Sequence, residues 1–127
     1  MRANVDTVID ELGGRVGFSN LKKNEHGVVH LEIQTIGHLF IDAKDDWVFT
    51  YLLRAYKFPN SRIYLKALEL CNPYPCYQFS VNPVLQNDDM LGFAIKHSCN
   101  DFTIGKLEDS IKLLSGLQDR LMIFDGA

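Results

Sequence analysis

The chain is short of cysteine, of proline, of positive charge and of long apolar runs, and each shortage removes a class of protein. Three cysteines among 127 residues, Cys71, Cys76 and Cys99, are an odd number and too few for the disulfide framework of a small secreted domain. Asn-x-Ser/Thr acceptor sequences are also absent, so nothing points to an oxidising compartment. Four prolines and nine glycines fall short of a collagenous or low-complexity composition. The longest apolar stretches, such as Val48 to Leu53, lie far below the roughly 18 to 20 residues of a membrane span. Thirteen Lys and Arg against sixteen Asp and Glu leave a formal charge of -3, without the basic footprint that phosphate backbones demand. Neither nucleic acid nor a membrane span is expected. Met1 to Asp6 mixes charged with apolar residues and lacks the uninterrupted apolar core of a secretory signal, so a cytoplasmic location is expected.

What is present is ordinary globular material, 46% hydrophobic and 23% charged, in a length that suits one domain spanning 1–127. Val5, Val8, Ile9 and Leu12 recur at helical spacing and predict a short first helix, with Asn4 as its cap and Gly13-Gly14 as its stop. Beyond a polar loop from Asn20 to Gly27 the period falls to two. Val29, Leu31 and Ile33 point one way while His30, Glu32 and Gln34 point the other. A tight connection at Thr35 to Gly37 leads to a second strand, His38 to Asp42, and a turn at Ala43 to Asp46 leads to a third, Trp47 to Arg54. Tyr64, Ala67, Leu68 and Cys71 predict a second helix, entered at Pro59 to Ser61 and ended by Asn72-Pro73. Cys76 to Val81 and Met90 to His97 read as a further strand hairpin, and Leu107, Ile111, Leu114, Leu117 and Leu121 as a closing helix capped by Thr103 or Asp101. The predicted order is αβββαββα, an α+β two-layer sandwich of antiparallel sheet and helices.

The residue types that carry chemistry do not assemble into a motif. Cys71-x4-Cys76 with His97-x-Cys99 supplies soft ligands at the wrong spacing for a zinc knuckle, and buried structural thiols are the favoured reading. His30 and His38 can face one another across the first hairpin, but no serine or carboxylate stands at a catalytic spacing. Asp42, Asp45 and Asp46, and again Asp88-Asp89, lack the calcium loop, and no glycine-rich turn precedes a helix as a phosphate cradle does. No catalytic residue, metal or cofactor is expected. Aromatic residues are numerous, among them Trp47, Phe49, Tyr51, Tyr77 and Phe79, yet too few basic residues lie among them for a base-stacking platform. More apolar positions exist than three short helices can cover, which points to a protein partner.

Several of these segments together resemble the small acidic effector chaperones of bacterial type III secretion, the family that includes the chaperone of the intimin receptor. The resemblance rests on the first helix with Val5, Val8, Ile9 and Leu12, and on Gly27-x-x-x-Leu31-x-Ile33 in the three-strand run. It continues through Leu65-Lys66-Ala67-Leu68-Glu69-Leu70-Cys71-Asn72 and the Phe102-x-Ile104-x-x-Leu107 to Leu121 helix. It implies a non-enzymatic bacterial cytoplasmic homodimer, with a heterodimer as the variant. Such a protein holds the N-terminal region of a secreted effector or apparatus protein in an extended, export-competent form. By the same resemblance the client would lie on Val8, Leu12, Val29, Leu31, Ile33 and Leu39, and the dimer would form through Tyr64, Leu65, Leu68 and Phe79. Two rivals stand beside it: an adaptor or regulator of the secretion apparatus with the same fold, and a small-molecule-binding domain or enzyme with a dispersed site.

Overall fold

A computed structural model describes residues 2–17, 27–57, 59–72, 77–87 and 89–125, with side chains from Asn4 onward. The Asn20 to His26 part of the predicted polar loop, the Pro73 to Cys76 segment and Asp88 lie outside the described residues. The elements run α1 (Arg2–Val16), β1 (Val28–Ile33), β2 (Gly37–Lys44), β3 (Trp47–Ala55), α2 (Ser61–Leu70), β4 (Val81–Gln86), β5 (Met90–Ser98), a 3-10 turn (Cys99–Asp101) and α3 (Ile104–Phe124). The five strands form one antiparallel sheet in the order β1-β2-β3-β5-β4. This is the α+β arrangement that the periodicities predict.

Alternation along the strands separates the two faces of the sheet. Val29, Leu39, Ile41, Val48, Leu52, Phe93 and Ile95 share one face and are at most 1% exposed. Val5, Val8, Ile9 and Leu12 of α1, Ile63, Ala67 and Leu70 of α2, and Leu107, Leu114, Leu117 and Leu121 of α3 complete the same core. Each aliphatic side chain so buried contributes roughly 1.5 to 3 kcal/mol before the entropy of ordering it is subtracted.

Polar groups fix how α3 sits on the sheet. The Gln118 amide donates to the backbone carbonyls of Leu52 (2.9 Å) and Leu91 (2.8 Å), while its oxygen accepts from the Tyr56 hydroxyl at 2.6 Å. Gly92 makes room for this clamp, because a Cβ there would run into the Leu52 carbonyl oxygen and the Gln118 amide. Arg54 ties the β1–β2 turn to α3, donating from Nε to the Ile36 carbonyl (2.6 Å) and from Nη1 to Asp119 (2.8 Å).

Four local expectations are corrected. The first helix runs through Gly13-Gly14 and turns off at Gly17, whose φ is +86°. Asn4 lies inside that helix and, in place of capping it, donates to the carbonyls of Cys99 (3.1 Å) and Phe102 (2.8 Å), tying α1 to the 3-10 turn. The fourth strand begins where the predicted one ends and contains Asn82-Pro83, which reads locally as a turn. It tolerates proline because β4 is an edge strand, where one row of N–H groups has no ladder partner to lose. The buried face of α2 is Ile63, Ala67 and Leu70, so of the expected stripe Ala67 is buried, Tyr64 and Cys71 are half-buried against the core, and Leu68 is exposed. The predicted caps Asn60 and Thr103 do accept from Ile63 N and Lys106 N, each at 3.2 Å.

Candidate functional site

Burial decides which of the predicted contact residues present a surface. Val8 and Leu12 are 3% exposed, Val29 1%, Leu31 5% and Leu39 0%. These five residues of the expected client surface are therefore interior in this protomer, on the inner sides of α1, β1 and β2. An apolar stripe states that a face is covered, not what covers it. Ile33 is half-buried and lines a groove of about 370 Å³ at the β1–β2 turn, together with Ile36, Arg54 and Met122.

The expected dimer residues divide. Leu65 and Leu68 are 64% and 54% exposed and stand on the outward face of α2, joined by Leu85 of β4 at 52%. Tyr64 is half-buried beside them, and Tyr64, Leu68, Pro83, Val84 and Leu85 line an apolar groove of about 230 Å³ between α2 and β4. Phe79 lies elsewhere, packed on the core with its ring edge-on to His97 at 5.1 Å.

Another surface, which the strand pattern left unassigned, lies on the sheet face opposite the helices. His30, Phe40 and Tyr51 are direct neighbours across β1, β2 and β3. Their rings stack at 4.4 and 4.8 Å with planes 8° and 9° apart. Phe40 and Tyr51 are half-buried, His30 is exposed, and the next position across, Ala94, is small. Beside this row Lys96 Nζ sits 3.8 Å above the ring centre of Trp47, which is 43% exposed, and 5.9 Å from that of Phe49. The outer edge of β1 has no strand beyond it among the described residues. An aromatic face bordered by an open strand edge can take both the side chains and the backbone of an extended segment. The signal for it was the bulky apolar content of both faces of Trp47 to Arg54.

The remaining candidates are the cysteines and His97, and of these Cys76 lies outside the described residues. Among the described residues no three of His, Cys, Asp and Glu converge. Cys99 is buried, its thiol 3.6 Å from the Asp45 carbonyl oxygen, and burial pushes the Cys71 thiol up to about 11, which disfavours the thiolate. Desolvation raises the Tyr51 phenol, with Asp42 adding to it. His97 and Ser110 lie 2.9 Å apart, but Ser110 is fully buried and its hydroxyl donates to the Lys106 carbonyl at 2.8 Å. Its oxygen therefore accepts from His97 Nε2–H, the reverse of a serine activated by an imidazole base.

Burial, and Lys106 after it, lowers the His97 pKa, so the fold favours the neutral ring. Above about pH 6.5, the unfolded value, it is neutral in both states and costs nothing; below it the unfolded chain takes up a proton that the fold refuses. Stability is expected to fall as pH drops through that window towards the lowered folded value, by at most about 1.4 kcal/mol per pH unit from this group. Urea unfolding at several pH values checks this, with His97→Gln flattening the slope whatever its effect on stability at neutral pH.

No family model matches the chain, and no curated protein matches it. Solved structures do. One is the Yersinia pestis type III secretion chaperone SycH in complex with a stable fragment of YscM2, at 17% identity and a TM-score of 0.64, covering 92% of this chain and 96% of that one. The ExsC-ExsE complex matches at 12% identity and 0.74, covering 96% and 91%. The HopA1-SchA chaperone-effector complex matches at 13% and 0.67, covering 100% and 98%. The fold is that of type III secretion chaperones. The likeness spans nearly the whole of each chain. No described helix is long and apolar enough to cross a membrane.

Proposed function

We propose that this protein is a bacterial cytoplasmic type III secretion chaperone, active as a homodimer without catalysis or nucleotide. In this reading it keeps the N-terminal region of one exported protein extended and soluble until export. The observation that carries the reading is the stacked, half-exposed His30–Phe40–Tyr51 row beside the open edge of β1. A client segment added along β1 gains backbone hydrogen bonds at the edge, and its apolar side chains cover the aromatic face. The groove at the β1–β2 turn, with Ile33 on its wall, lies at the end of that path. The dimer is assigned to the other side of the molecule, where Leu65, Leu68 and Leu85 stand exposed on α2 and β4.

The test is affinity capture from the native host, with mass spectrometry of what elutes and light scattering of the purified complex. Recovery of one protein exported by type III secretion on a dimeric bait is the expected result. A component of the secretion apparatus recovered in its place selects the adaptor reading. Phe40→Ser is expected to lower that recovery at least ten-fold while leaving the thermal melt within a few degrees, since only the half-buried outer face changes. A folded protein from which no exported or apparatus protein is recovered, or equal recovery by Phe40→Ser, overturns the reading or its surface respectively.

A further inference from the structure

We propose that His30 and His38 form a two-imidazole chelate for a divalent transition metal of tetragonal preference, Ni²⁺ or Cu²⁺, on the outer face of the β1–β2 hairpin. The inference does not rest on the chaperone reading. His30 Nε2 and His38 Nδ1 lie 3.0 Å apart. The residues are diagonal neighbours, His30 opposite Phe40 and His38 opposite Glu32, so two paired strands hold the nitrogens together. Stacking adds a second restraint, since the His30 ring lies flat on Phe40, and Phe40 on Tyr51. The two nitrogens are therefore held close before any metal arrives, and loading needs only that each ring turn its lone pair from the hydrogen bond towards the metal.

The donor set points to the metal, since imidazole nitrogens suit Ni²⁺ and Cu²⁺, which favour tetragonal centres with neighbouring positions at about 90°. With metal–imidazole bonds of about 2.05 Å, two such nitrogens lie roughly 2.9 Å apart, a gap compatible with the 3.0 Å hydrogen bond that already joins the rings. In the neutral pair one ring donates an N–H to the other. On loading, that hydrogen bond is replaced by two metal–nitrogen bonds. The shared proton moves through solvent to the far nitrogen of the ring that donated it, so the neutral pair binds without net proton release. Among the described residues no third His, Cys, Asp or Glu joins the two rings, so water completes the coordination. Loading clamps the edge strand β1 to β2.

The test is calorimetric titration of the full chain with Ni²⁺, alongside electron paramagnetic resonance of the Cu²⁺ form. One saturable Ni²⁺ site, tighter than that for Zn²⁺, and a Cu²⁺ signal with two equatorial nitrogens are expected. His30→Gln and His38→Gln should each weaken Ni²⁺ at least about ten-fold, whereas His26→Gln, outside the described residues, should leave it unchanged. The nitrogen count is read on the unaltered protein, so a variant that folds poorly leaves the test intact. Absence of saturable binding, a Cu²⁺ signal without two nitrogens, or equal loss in His26→Gln overturns the chelate, leaving a pair that only shares a proton.

Discussion

Leu12→Asp and Leu31→Asp are each expected to leave no folded protein at 25 °C, seen as loss of the cooperative thermal transition and of dispersed amide resonances. The two side chains are 3% and 5% exposed, and Leu12 belongs to the cluster that joins α1 to the sheet. A carboxylate at either site is taken from water without a partner, which costs several kcal/mol. The packing of a leucine is lost as well, at roughly 2 to 5 kcal/mol. Together these match the whole stability of a typical domain, about 5 to 15 kcal/mol. Were either leucine a client contact, as the stripe on the first helix and strand suggests, the variant would fold and fail only in binding. A folded Leu12→Asp protein with normal melting would therefore overturn the placement of α1 on the sheet.

The opposite outcome is expected on α2. Leu68→Asp should fold with a melt close to that of the unaltered chain, because the side chain is 54% exposed and exposed substitutions usually fall within about 0.5 kcal/mol. In the proposed homodimer it lies at the centre of the contact with Leu65 and Leu85. Two-fold symmetry brings the change into the interface twice, so dissociation should strengthen by about 2 to 4 kcal/mol, on the order of 30- to 1,000-fold in Kd. Light scattering at micromolar concentration should then report a monomer. A dimer that survives Leu68→Asp and Leu85→Asp together would move the interface off this face.

These two predictions differ because helix periodicity reports only that an apolar face exists. Val5, Val8, Ile9 and Leu12 form a clean stripe, and so do Tyr64, Ala67, Leu68 and Cys71. The first is interior, while the second straddles the boundary between core and surface, with Ile63 and Leu70 completing the buried side. The missing information is non-local. It depends on where α3 and β4 flank α2, and no spacing within Ser61 to Leu70 encodes that. The proline at position 83 presents the same difficulty. Locally Asn82-Pro83 is a turn signal, and only the place of β4 at the edge of the sheet makes it an acceptable strand residue.

The first hairpin was more legible. Alternation placed Val29, Leu31 and Ile33 opposite His30, Glu32 and Gln34, and the short connection set β1 antiparallel to β2, so the nearness of His30 and His38 followed from local pattern, though the register makes them diagonal and not facing. The stacking of His30 on Phe40 and Tyr51 did not, since it needs the register of three strands at once. The clamp built from Tyr56, Gln118 and Gly92 was invisible for the same reason: its members lie just past β3, in α3 and in β5, up to 62 positions apart.

Residue order by itself determined the run of elements, the α+β class and the alternation of the first two strands. These follow from the 3.6- and 2-residue periods and from caps such as Asn60 and Thr103, which act within a few residues. The tertiary structure alone decided which apolar face is core and which is exposed, because burial is a property of what packs against a face and the helices here meet the sheet from distant parts of the chain.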